Sequence, residues 1–121
     1  MAWKTYLDLD VFNRSYNCAL ELHKISKTFP KEELYSLTSQ LRRSSKSVCA
    51  NIAEGHGKSH ASQKEFARFL NMSLGSAEET RLWLRFCYDL EFIEENKWQE
   101  FDAEYLEIIK MLHGLIKALL K

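Results

Sequence analysis

Residues Gln40 to Glu79 read QLRRSSKSVCANIAEGHGKSHASQKEFARFLNMSLGSAEE. In the first half Leu41, Ser44 or Ser45, Val48 and Ile52 recur at three- and four-residue spacing. In the second half Phe66, Phe69, Leu70, Ser73, Leu74 and Ala77 do the same. Both are amphipathic helix patterns. Glycine just past the last periodic residue is a common helix terminator, so the second helix of the chain is expected to stop at Gly55, with His56 and Gly57 completing the turn. Ser62 followed by Glu65 forms a capping-box pattern and predicts a third helix starting near Ser62, or as early as Ser59. Gly75 lies inside that helix at a cost of about 1 kcal/mol relative to alanine. With Ser73, Ser76 and Ala77 it makes a small-residue patch suited to close helix approach.

The same periodicity extends in both directions. Upstream, Leu9, Phe12, Tyr16, Ala19, Leu22 or His23, and Ser26 predict a first helix from Asp8 or Asp10 to Thr28, with an aspartate as its N-cap. Pro30 ends it and suits the first turn of the next segment, where Glu32 and Glu33 meet the positive end of a helix dipole. Downstream, the third helix continues through Leu84, Cys87 and Leu90. After a turn around Glu91 to Asn96, Trp98, Phe101, Tyr105, Ile108, Leu112, Leu115 and Leu119 mark a fourth. Four helices with short links predict an all-α, up-down-up-down antiparallel four-helix bundle, with residues 1–121 as its single domain.

Composition agrees. A chain of 121 residues with 45% hydrophobic and 28% charged side chains can bury one core, and one proline with four glycines leaves few turns for a β fold. No apolar run approaches the ~18 residues of a membrane span, and MAWKTYLDLD lacks a secretory signal pattern. Cys18, Cys49 and Cys87 are widely spaced and odd in number, which predicts reduced thiols and a cytoplasmic protein.

Net charge is zero, yet unevenly spread. Residues 42–68 hold Arg42, Arg43, Lys46, Lys58, Lys64 and Arg68 against Glu54 and Glu65, whereas residues 78–107 hold ten acids against Arg81, Arg85 and Lys97. The six basic residues are the candidate nucleic-acid contacts. They would meet phosphate in a salt-sensitive, sequence-independent way. The alternative is that Arg42 and Arg43 pair with acids of the 78–107 segment. Asn51 and Glu54 are either a ligand or interface site or local partners for backbone groups and Lys58.

Nothing in the chain spells catalysis. Ser44, Ser45 and Ser47 have no partnered histidine and acid, Gly55-His56-Gly57 is too short for a phosphate loop, and no Glu-x-x-His is present. His56 and His60 have a ligand-like spacing, but Gly57 falls between them and no third ligand is near. The expectation is a protein without enzymatic activity, cofactor or metal. Trp3, Trp83, Trp98, Phe86 and Tyr88 exceed one narrow core stripe, which predicts either a protein–protein interface or a thick core.

QLRRSSKSVCANIAEGHGKS followed by KEFARFLNMSLGSAEE resembles the bacterial four-helix-bundle proteins first noticed as products of intervening sequences in 23S rRNA genes. FPKEELYSLTSQLRR and MLHGLIKALL extend the resemblance over nearly the whole chain. The NIAEG element (Asn51 to Gly55) and the LGSAEE element (Leu74 to Glu79) carry it. The chain departs from the family pattern at Cys49, where proline is usual, at Ser36, where glycine is common, and at Lys58, where arginine is common. Without that proline the second helix is expected to run straighter. The resemblance implies a ring-like homo-oligomer, a pentamer, and Asn51, Glu54, Gly55, Gly57, Gly75 and Glu78 as motif or interface positions. It also implies a link to the basic, pentameric accessory protein of diversity-generating retroelements, and so RNA or DNA as a partner. A protein-interaction scaffold without nucleic acid is the other reading.

Overall fold

The computed structural model describes residues 3–121. Four α-helices carry the chain: α1 (Asp10–Ser26), α2 (Ser39–Gly57), α3 (Gln63–Asp89) and α4 (Glu95–Leu119). Among the described residues there is no strand, and the architecture is an all-α four-helix bundle. Among the described residues no helix is long and apolar enough to cross a membrane.

Partners across the seams show how the helices neighbour one another. Between α1 and α2, Ser26 meets Arg42 and His23 meets Lys46. Between α2 and α3, Ser44 meets Thr80, Ser47 meets Ser76, and Val48 meets Ser73. Between α3 and α4, Arg81 meets Asp102 and Tyr88 stacks on Trp98. Between α4 and α1, Glu104 meets Arg14 and Lys97 meets Glu21. In every seam the residue number falls on one helix as it rises on the other.

Leu22, Leu41, Val48, Ile52, Phe66, Leu70, Leu84, Ile108 and Leu112 fill the centre, each almost fully buried. Ser44, Ser45, Ser73 and Thr80 are buried as well. Their hydroxyls are all hydrogen-bonded, so short polar side chains let α2 and α3 approach without orphaned polar groups.

The helix ends both follow and correct the sequence pattern. Ser62 caps α3 as expected, its Oγ accepting from the Glu65 N–H at 3.0 Å. The reciprocal half of the capping box is absent, because the Glu65 carboxylate turns to Arg68. Asp8 does not cap α1. It accepts from the N–H groups of Lys4 and Thr5 at 2.9 and 3.2 Å, closing a capping box on the short 3-10 turn Tyr6–Asp8, and α1 follows Leu9 with no side-chain cap. At its other end α1 stops at Ser26, short of Thr28. Pro30 leads into a 3-10 turn (Lys31–Glu33), which runs into a π-helical turn (Leu34–Thr38) before α2 begins. That turn buries Leu37 and Thr38 and leaves Tyr35 91% exposed.

Gly55 is the main correction. It does not end α2, which runs on through Gly57 to a cap at Lys58, whose N–H donates to the carbonyls of Glu54 and Gly55. Gly55 is instead the pinch between α2 and α3. A Cβ there would sit 2.8 Å from Phe69 Cβ and 3.1 Å from Phe66 Cδ1. The helix also passes Cys49 without a break, as the missing proline predicts. Gly75 takes no part in close packing within the chain: it is exposed, and an added Cβ would meet nothing within 4 Å. Ser73, Ser76 and Ala77 do face inward or toward α2.

The end of α3 is a Schellman turn. The Phe92 N–H donates to the Cys87 carbonyl at 2.8 Å and the Glu91 N–H to that of Tyr88 at 2.9 Å. Glu91 therefore holds the left-handed position, with φ 65°, where glycine is the usual residue.

Candidate functional site

The six basic candidates separate into two groups. Arg42, Arg43 and Lys46 lie toward the start of α2, whereas Lys58, Lys64 and Arg68 surround the link between α2 and α3. Roughly 18 Å of helix rise separates Lys46 from Lys58.

The first group is occupied by its own bundle. The Arg42 Nε donates to Ser26 Oγ on α1 at 2.7 Å. Arg43 reaches the other way, donating to Gln40 and forming an ion pair with Glu79 on α3. The pairing of Arg43 with an acid of the 78–107 segment is thus realised, while Arg42 takes a hydroxyl instead. Lys46 Nζ donates to His23 Nδ1 at 2.8 Å. That bond needs an unprotonated Nδ1, and burial followed by the charges of Lys46, Arg42 and Lys27 lowers the His23 pKa from its ordinary value. His23 and Lys27 were not among the sequence candidates. Only the antiparallel register of α1 on α2 brings His23 beside Lys46, with Lys27 one turn on from His23 in its own chain segment.

The second group is more open. Lys58 and Lys64 are exposed and make no side-chain hydrogen bond or ion pair among the described residues. Arg68 is paired with Glu65 at 2.9 Å and lies over the Phe69 ring, 4.7 Å from its centre. The pairing raises the Arg68 pKa and lowers that of Glu65.

Asn51 donates to the carbonyl and the hydroxyl of Ser47 at 2.9 and 3.1 Å, a local structural role on α2. Glu54 is exposed and forms no ion pair with Lys58 among the described residues. Its charge acts on Arg68 instead. Glu78 pairs with Arg81 one turn on, at 2.9 Å. Gly57 is the exposed last residue of α2.

His56 and His60 do not converge. His56 Nε2 lies 3.2 Å from the Trp3 carbonyl and the ring meets Phe66 edge-on, while His60 is exposed. No group of three or more histidine, cysteine, aspartate or glutamate side chains is placed to hold a metal ion among the described residues. The three cysteines are unpaired and buried, and burial pushes the thiols of Cys18 and Cys87 up to about 12, far from the range of a reactive thiolate.

The aromatic residues divide between core and surface. Tyr88 and Trp98 stack at 4.7 Å with Arg85 over the Trp98 ring, and Trp3, Trp83 and Trp98 pack partly buried against the core. Phe86 is 47% exposed, beside Trp83 and Leu90.

A family model described as 23S rRNA-intervening sequence protein matches residues 7–114, a span containing all four helix cores and both basic groups. The chain belongs to this family. Comparison with curated proteins finds no match. Among solved structures, the chain is similar to a protein of unknown function from the S23 ribosomal protein family of Bacteroides thetaiotaomicron. That crystal structure superposes with a TM-score of 0.80 at 28% identity, over 88% of this chain and 98% of the other. The family is therefore established together with the helical fold, and neither comparison names an activity or a ligand.

Proposed function

We propose that this member of the family is a non-catalytic, cytoplasmic protein that works as a ring-shaped homo-oligomer, the pentamer being the state implied by the family resemblance. The observation that carries this reading is the apolar surface one copy leaves in water. Tyr16, Leu20, Tyr35, Leu82, Phe86 and Leu90 are all large and exposed. A neutral chain with such a surface has a strong incentive to bury it against a partner.

A nucleic-acid-associated role is the second reading. It is favoured by Lys58 and Lys64, which have no side-chain partner among the described residues and lie at the same end as Arg68. Repeated around a ring they make a band able to contact phosphate, whereas Arg42, Arg43 and Lys46 are already engaged. On this reading the α2–α3 end faces RNA or DNA; without it, the ring is a protein-interaction scaffold.

Light-scattering mass with and without a mixed RNA and DNA oligonucleotide, at low and moderate salt, tests both readings. A ring that gains nucleic-acid mass only at low salt, and loses the gain in Lys58→Glu/Lys64→Glu, supports phosphate contact at that end. A ring that never gains mass leaves the scaffold. A monomer removes the assembly reading altogether.

A further inference from the structure

We propose that the groove between α1 and α2 of one copy receives the aromatic patch beside the π turn of a second copy, so that subunits join head to tail. This docking rests on the ring reading above and names the two surfaces that make it.

The groove is a shallow cavity of about 350 Å³ with mostly apolar walls. Tyr16 and Leu20 from α1 stand on one side and Cys49 from α2 on the other, with Lys46 and His23 closing one end. Arg42, held on Ser26, lies one turn further along, and that end of the groove is cationic. The patch lies between the π turn and the last turns of α3, around a depression of about 380 Å³. Trp83, Phe86 and Leu90 supply its apolar surface and Glu33 its edge, while Trp83 Nε1 donates to Glu79 at 2.9 Å. Phe86 and Leu90 are each about half exposed.

Charge selects the pairing. Groove against groove sets Lys46 opposite Lys46, and patch against patch sets Glu33 opposite Glu33. Groove against patch alone brings the cationic end to an acidic rim while covering apolar surface on both sides. Position within the bundle then sets the outcome of repetition. The groove lies on the α1–α2 side and the patch on the α2–α3 side, adjacent sides that share α2. Unlike surfaces joined head to tail give a ring if the rotation between copies closes and a filament if it does not, and surfaces on adjacent sides bend the run of copies toward closure. The patch is nearer the start of α2 than the groove, which a ring accommodates by tilting each bundle like a barrel stave.

The test uses the full chain carrying Leu20→Cys and Phe86→Cys together, under mild oxidation, beside each single variant and the parent protein. Both positions are exposed; every protein in the series, the parent included, also carries Cys49→Ala, because Cys49 lines the groove, while Cys18 and Cys87 are buried and line neither surface. The expected result is a ladder of covalent oligomers from the double variant, a mixed dimer when the two single variants are combined, and no dimer from either alone. A Leu20→Glu variant should in addition lose most of the oligomer mass while keeping its helical circular dichroism. Cross-links between like positions, or a ring that gives no mixed cross-link and survives Leu20→Glu, would overturn this docking and leave the ring standing. A monomeric parent under the same conditions would overturn the ring reading, and this inference with it.

Discussion

The seam between α2 and α3 and the seam between α1 and α4 are built on opposite principles. Along α2 and α3 the contact is interior. Ser73 donates to the Val48 carbonyl at 2.7 Å, the Ser44 and Thr80 hydroxyls lie 2.9 Å apart, and Gly55 leaves Phe66 and Phe69 the space a Cβ would take. Along α1 and α4 much of the joining is done at the surface. Arg14 grips Glu104 through two bonds of 2.7 and 3.0 Å, Lys97 reaches Glu21, and a shallow cavity of about 320 Å³ opens among these side chains. Buried hydroxyl contacts fix a separation and a register, whereas half-exposed ion pairs are screened by solvent and contribute modestly to net stability.

The largest expected effect comes from closing the pinch. Gly55→Ala should cost about 2 kcal/mol, because a 2.8 Å approach to Phe69 Cβ forces α2 and α3 apart. Gly75→Ala, with open space around it, should gain up to about 1 kcal/mol in the monomer. Denaturant unfolding of the two variants side by side would break the comparison if Gly55→Ala were neutral. Ser73→Ala comes next, at about 1 kcal/mol for a buried hydroxyl bond; an unchanged midpoint would mean the polar seam contributes shape alone. Glu104→Gln should cost no more than about 0.5 kcal/mol, and this cost should shrink as salt is raised. A cost equal to that of Ser73→Ala, insensitive to salt, would erase the contrast between the seams.

The smallest effect concerns the α1–α2 seam. The pKa of His23 is lowered in the folded protein from an ordinary value of 6.5, so the unfolded chain binds the proton more readily. Its contribution is fully present above the unfolded pKa and is lost as the pH falls through that value toward the folded one. Stability should therefore decline as the pH falls below about 6.5, and more steeply in the parent than in His23→Gln, whose side-chain oxygen can still accept from Lys46. Parallel pH profiles for the two proteins would show that His23 does not sense its cationic neighbours.

The four helices were legible because apolar spacing is a property of the chain alone. So was the Ser62 cap, which satisfies a backbone group three residues away. Gly55 was misread because a glycine that ends a helix and a glycine that admits a neighbouring helix look the same in one sequence, and only the position of Phe66 and Phe69 tells them apart. Asp8 was misread for a related reason, since it completes from the third position the capping box of a turn that starts at Thr5, before the expected helix. The basic segment was visible as composition, but its division was not. Whether Arg43 faces Glu79 or solvent depends on how α2 and α3 are rotated against each other. The π turn, which presents Tyr35 and the neighbouring aromatic patch, follows a 3-10 turn after Pro30 and has no periodic signature of its own.

The link between α2 and α3 spans only Lys58 to Ser62, whereas the partners that close α1 on α4 lie up to 90 residues apart in the chain. Closing a short loop loses little chain entropy, and local contacts form early. The link between α3 and α4, Leu90 to Glu94, is equally short, so α2, α3 and α4 can form from local contacts with α1 docking onto them, and the ionic α1–α4 seam is the last to shut and the first to gape. Native-state hydrogen exchange would register this as earlier labelling of α1 than of the facing turns of α2 and α3. The reverse order would mean that the bundle opens from its middle.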